Sequence, residues 1–171
     1  MNKRLALIAG PAVLAIAIFW LATPKTGGPQ PGQLAPDFHW IELSGQNVAL
    51  SHYRGRVVLI DFWATWCTTC EEEQPALISL FDRLHSQGFE LLAPSMDEGG
   101  RKSLVPYLSN HPIPWKVLLS DSEDARIFQV IGLPTKFLID RSGVIAKKYI
   151  GPVDPQVLER DVRQLIAQEA S

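Results

Sequence analysis

The sequence predicts an α/β fold, and three observations carry that expectation. Val57-Val58-Leu59-Ile60-Asp61-Phe62-Trp63 is a near-continuous apolar run, the pattern of a strand buried on both faces. The residues after it repeat apolar positions at helical spacing (Leu77, Leu80, Phe81, Leu84). From there to the C-terminus short strand-like runs alternate with helical ones.

In chain order, Ala35-Pro36-Asp37-Phe38 opens an extended stretch, with Phe38, Trp40, Ile41 and Leu43 as core candidates. Ser44-Gly45-Gln46-Asn47 reads as a turn and Val48 to Leu50 as the returning strand of a hairpin. A helix is expected from near Thr68 to about Gln87, stopped by Gly88. Phe89 to Met96 is the next strand, with Pro94 implying that it ends there or lies at a sheet edge. A helix over Ser103 to Asn110, a strand over Trp115 to Leu119 and a short helix over Ala125 to Val130 follow. Lys136 to Asp140 and Val144 to Ile150 pair around Arg141-Ser142-Gly143. Asp154 to Gln168 closes the chain as an amphipathic helix, with Val157, Leu158, Val162, Leu165 and Ile166 on one face.

Ahead of this domain, expected over residues 34–171, lie two other segments. Residues 1–23 hold a basic start, Lys3-Arg4, and an uncharged run from Leu5 to Ala22. Those 18 residues would rise about 27 Å as a helix, close to the thickness of a bilayer's hydrocarbon core. The positive flank keeps the start cytoplasmic and sends the rest across, with Trp20 at the interface. An uncleaved anchor in the lipid bilayer is preferred to a cleaved signal peptide, because no small-x-small site precedes Thr23-Pro24. Residues 24–33, PKTGGPQPGQ, read as a linker. The net charge of −2 and scattered signs give no basic patch for nucleic acid.

The only cysteines are Cys67 and Cys70. A bridge across two residues closes too short a loop to be a useful staple, about 2 kcal/mol on loop entropy. The pair sits where the buried strand gives way to the helix. The partial positive charge and open N–H groups of a helix start stabilise a thiolate. Cys67 is therefore expected as the exposed nucleophile, and Cys70, one turn on, as the resolving thiol. A zinc site needs more ligands, and His39, His52, His85 and His111 lack the spacing to supply them, so neither metal nor cofactor is expected.

Asp61-Phe62-Trp63-Ala64-Thr65-Trp66-Cys67-x-x-Cys70 resembles the thioredoxin signature, and Gly132-Leu133-Pro134-Thr135 the loop that carries that family's cis-proline. Ala35-Pro36-Asp37-Phe38, the turn Tyr53-Arg54-Gly55-Arg56, and Glu73 with Pro75 resemble the TlpA/ResA-like branch. The resemblance implies a thioredoxin-like fold, a central mixed sheet flanked by helices with an N-terminal hairpin. It also implies a membrane-anchored, extracytoplasmic thiol–disulfide reductase of bacterial client proteins, cytochrome c maturation among its uses. A transmembrane thiol carrier would supply its electrons. Trp66, Leu133 and Pro134 would meet the substrate, with a cis bond at Pro134 opening backbone groups to an extended peptide; a trans loop proline is the alternative. Asp61 would be buried and accept the Cys70 proton, or be an ordinary surface acid. Glu73 would support that proton transfer, or only complement the helix dipole, as Glu71 and Glu72 do. The dipeptide between the cysteines is Thr68-Thr69, where many thioredoxins have Gly-Pro.

Three other functions fit parts of this pattern: a disulfide oxidase, a non-enzymatic anchored binding module, and a peroxidase. Ala35-Pro36-Asp37-Phe38 also resembles peroxiredoxins, but Ala64 stands where they place threonine.

Overall fold

The computed structural model describes residues 28–168. The apolar run expected as an anchor lies outside them. No helix among the described residues is long and apolar enough to cross a membrane.

Seven strands form one mixed sheet: β1 (His39–Glu42), β2 (Asn47–Ala49), β3 (Val57–Phe62), β4 (Phe89–Ser95), β5 (Lys116–Leu119), β6 (Thr135–Ile139) and β7 (Ile145–Ile150). Their order is β2-β1-β5-β4-β3-β6-β7. The central strands β3, β4 and β5 run parallel, while β6 pairs antiparallel with β3 and β7 with β6. The α-helices among the described residues are α1 (Thr68–Leu84), α2 (Arg101–Asn110), α3 (Ser122–Phe128) and α4 (Pro155–Ala167).

Strand alternation splits the core in two. Val57 and Leu59 face one cluster, with Leu77, Leu80, Phe81 and Leu84 of α1, Leu104 of α2, and Leu158 and Val162 of α4. Val58, Ile60 and Phe62 face the other, with Trp40, Phe137 and Phe128 of α3. This period of two puts Asp61 on the α1 side, with Leu59. Lys136 falls on that side too, because it shares a face with Leu138 while Phe137 points the other way.

Several expectations change. Pro94 lies in a central strand, not at an edge. The β3–β4 ladder stops at Ile60–Leu92, and contact resumes only where Trp63 bridges Ser95. The missing N–H of the proline therefore falls in a gap of the ladder. The helix expected over Ala125 to Val130 begins at Ser122. Asp121 accepts the N–H groups of Glu123 and Asp124 in a capping box and draws the start forward. Ile41 is 48% exposed, because the hairpin places it opposite Trp40, which takes the core position. The end of the Pro/Gly stretch does not hang free. Gly32 N–H donates to Ile145 O, and Ile145 N–H to Gln33 O, laying residues 32–33 against the start of β7.

Candidate active site

The site begins with how the chain leaves β3. Asp97, buried after β4, accepts three hydrogen bonds: from Thr65 N–H (3.0 Å), Thr65 Oγ1 (2.6 Å) and Ser95 Oγ (2.7 Å). Met96 N–H donates to Trp63 O, and the indole N–H of Trp63 donates to Ala93 O. These bonds tie the loop 63–66 to the end of β4 and fix where α1 can start.

That start is Cys67. Its backbone is extended, it is the N-cap of α1, and its sulfur accepts the N–H of Cys70 at 3.2 Å. A cap usually offers an oxygen from Ser, Thr, Asp or Asn there. Here a sulfur meets the open N–H groups and the positive end of the helix, where an anionic sulfur is best stabilised. Cys67 and Cys70 are joined in a disulfide of 2.02 Å.

The expectation of an exposed Cys67 needs correcting. It is 6% exposed and Cys70 4%, while Trp66 beside it is 67% exposed. The capping geometry turns the sulfur toward the helix and its partner, and the flanking Trp66, Thr68 and Thr69 take the solvent.

Across from the cysteines, the Leu133–Pro134 peptide is cis. Thr135 pairs with Phe62, the last residue of β3, so the loop leaves β6 beside the departing cysteine loop. Leu133 packs against the cluster that contains both cysteines. Pro134 is buried, and its carbonyl accepts the N–H of Gly151 at 2.8 Å. That acceptor is therefore not open to a peptide, and the outward residue of the loop is Ile131, 83% exposed.

Beneath Cys70 lies a charged cluster. Asp61 is buried and lines one small cavity with Cys70, Trp63, Gln74, Ala93, Ile113 and Trp115. Its register partner in β6 is Lys136, itself fully buried. The Lys136 ammonium lies 2.7 Å from Glu73 Oε2 and 3.4 Å from Asp61 Oδ1. The other Glu73 oxygen accepts the N–H of Val153 at 2.8 Å. Glu73 therefore points down to the sheet and not to the helix dipole, whereas Glu71 and Glu72 are exposed.

Burial drives the Asp61 carboxyl up; Lys136 pulls it back and Glu73 adds to the rise, leaving it at about 6 against an ordinary 3.8. The folded protein then holds a proton that the unfolded chain has released between about pH 4 and 6. Asp61 accordingly makes the fold less stable as pH rises through that window. The unfolding free energy of the wild type minus that of Asp61→Asn should fall from about pH 4 to 6 and level off above it. Urea melts at a series of pH values measure this, and a flat difference would contradict it.

Of the residues expected from the sequence (Cys67, Cys70, Asp61, Glu73, Trp66, Leu133 and Pro134), Cys67 is bonded to Cys70, Asp61 lines a cavity with Cys70, and Glu73 is linked to Asp61 only through Lys136. Sequence reasoning missed Lys136 and Asp97. A lysine opening the apolar strand TKFLI was the available signal for Lys136.

The AhpC/TSA family profile matches residues 31–148. A thiol-disulfide oxidoreductase ResA of Geobacillus kaustophilus is 31% identical over 135 residues, which cover 78% of this chain and 77% of the relative. The thioredoxin-like protein YneN of Bacillus subtilis is 29% identical over 138 residues, covering 80% of this chain and 81% of the relative. Among solved structures, a thiol:disulfide interchange protein of the thioredoxin family from Chlorobium tepidum matches with a TM-score of 0.71 at 26% identity. It covers 81% of this chain and 97% of that one.

Proposed function

Since the chain belongs to the AhpC/TSA family and is a ResA-like, thioredoxin-fold thiol–disulfide oxidoreductase, we propose that it works as a reductase of client-protein disulfides through Cys67 and Cys70. The observation that carries this reading is the sulfur of Cys67 acting as the cap of α1, with Cys70 one turn in and a charged cluster beneath it.

In the reduced protein, the Cys67 thiolate attacks one sulfur of a client disulfide. The client's sulfur–sulfur bond breaks, a mixed disulfide forms on Cys67, and the leaving client thiolate takes a proton from water. Cys70 then gives its proton to the Asp61 carboxylate and attacks Cys67. The Cys67–client bond breaks, the Cys67–Cys70 bond forms, and the second client thiolate leaves. Two electrons have passed from the protein to the client. With a carboxyl near 6, Asp61 is mostly ionised at neutral pH and free to accept that proton. Trp66, exposed next to Cys67, and Leu133, packed against the cluster that holds both cysteines, form the ground on which a client segment would lie, with the buried cis-Pro134 setting the course of the loop behind them.

The wider setting belongs to the same proposal. Residues 5–22 anchor the chain in a bacterial membrane, and residues 24–33 carry the domain 34–171 on the extracytoplasmic side. A transmembrane thiol carrier re-reduces the pair, and cytochrome c maturation is one process that would use it. The apolar run and its basic flank support this placement.

Potentiometry against glutathione or dithiothreitol buffers tests the direction. A midpoint near that of thioredoxin, about −270 mV, is expected; a value near −120 mV would make the protein an oxidase. A peroxidase has one observation of its own, the AhpC/TSA match. Ala64 in place of the threonine, and a Cys67 already paired with Cys70, argue against it.

A further inference from the structure

We propose that Lys136 is a positioning residue for the exchange reaction: it clamps Glu73 in a buried ion pair and so leaves Asp61 as the one carboxylate of the cluster free to take the proton of Cys70. This rests on the reading that Asp61 is the proton acceptor, and it deepens that reading.

The geometry is unequal. Lys136 Nζ makes a 2.7 Å hydrogen bond to Glu73, while at 3.4 Å from Asp61 it makes an ionic contact. Asp61 Oδ1 is buried and has no hydrogen-bond partner among the described residues. Glu73 has one oxygen on Lys136 and the other on Val153 N–H, so both its oxygens are committed as acceptors. A proton on Glu73 would disturb a hydrogen-bonded ion pair, whereas a proton on Asp61 would weaken only the longer ionic contact to Lys136 and break no hydrogen bond. The cluster holds one positive and two negative groups, and an uncompensated buried charge is costly. One proton brings it to neutrality, and Asp61 is where it goes.

Placement makes that proton useful. The carboxylate that accepts it is the one lining the cavity with Cys70. Cys70 and Glu73 face Asp61 from α1, and Lys136 faces it from β6. The remaining walls, Trp63, Gln74, Ala93, Ile113 and Trp115, hold no titratable side chain. A lysine serving only to fasten β6 to α1 would need Glu73 alone. Lys136 stands between both acids, and so controls Asp61 through its charge and through its hold on Glu73.

The two substitutions therefore act in opposite directions. Lys136→Met removes the positive charge and leaves two buried acids facing each other. Glu73→Gln removes the competing acid and leaves Lys136 to Asp61 alone. The readout is the resolving step: reduced full-length protein in detergent is mixed with a peptide disulfide, and release of the second peptide thiol is followed against pH. The wild-type rate should rise with a midpoint near 6. Lys136→Met should move that limb up by about one pH unit or more, and Glu73→Gln should move it down. Lys136→Arg should keep it near the wild-type position.

Superimposed profiles for Lys136→Met and Glu73→Gln would overturn the inference, as would shifts of the same sign. Should Lys136→Met fail to fold, Glu73→Gln and Lys136→Arg still decide: an unmoved Glu73→Gln limb overturns it. Asp61→Asn separates the two levels. If it keeps the limb, the proton acceptor itself is wrong. If it loses the limb while Lys136 and Glu73 variants leave it in place, only the role of Lys136 fails.

Discussion

Cys67→Ser should lower disulfide reduction by at least about 10³-fold, to the background of uncatalysed exchange, because the proposed reaction has no second nucleophile to fall back on. An alcohol is not ionised at neutral pH, so serine at the cap of α1 keeps the helix start but supplies no thiolate. Fold and function thus separate: the serine variant should unfold at a urea concentration close to that of the reduced wild type. Cys70→Ala makes the complementary case. Its first step is intact and its second is missing, so it should accumulate a mixed disulfide with a client at one per chain. A non-reducing gel shows this adduct, and dithiothreitol removes it. Substantial turnover by Cys67→Ser, or no trapped client for Cys70→Ala in cells, would contradict the reductase reading.

Phe128→Ala should be the most damaging single truncation away from the cysteines. Phe128 is fully buried at the end of α3. Its ring centroid lies 4.4 Å from that of Phe38, 4.9 Å from Phe62 and 5.1 Å from Phe137, with Trp40 at 6.1 Å. Rings held by strands on several sides cannot collapse into the space left, so the cavity persists. Truncations of this kind cost about 3–5 kcal/mol, a large share of the about 5–15 kcal/mol that domains possess. The urea midpoint should drop accordingly with an unchanged slope. Phe128 lies on the sheet face opposite α1, so exchange activity in the cold, where the variant is still folded, should stay near wild type. A loss below about 1 kcal/mol would mean that the aromatic cluster relaxes, against the close packing described.

The strands and helices were legible where local signals agreed with burial. The β3 run, the periodicity of α1 and the closing amphipathic helix all announce themselves in the sequence, although α1 itself stops at Leu84 and only a 3-10 turn, His85–Gln87, carries on to Gly88. Asp61 was readable as buried because it stands among Ile60 and Phe62 in a strand covered on both faces. What escaped was non-local. Lysines lie outside in nearly all proteins, and nothing near Lys136 in the chain says that Glu73, 63 residues away, meets it. Asp97 reads as a polar residue after a strand; its three hydrogen bonds depend on how the loop from β3 returns to it. Pro94 misled for the same reason, since the gap in its ladder is made by another strand.

The sulfur at the head of α1 has a thermodynamic side as well as a kinetic one. As a thiolate it would be a stronger cap than as half of a disulfide, so the helix favours the reduced pair. Whatever favours the reduced pair makes it part less willingly with its electrons. The field that readies Cys67 to attack thus also lowers the driving force of each attack, and the chain must trade speed against reducing power at a single atom.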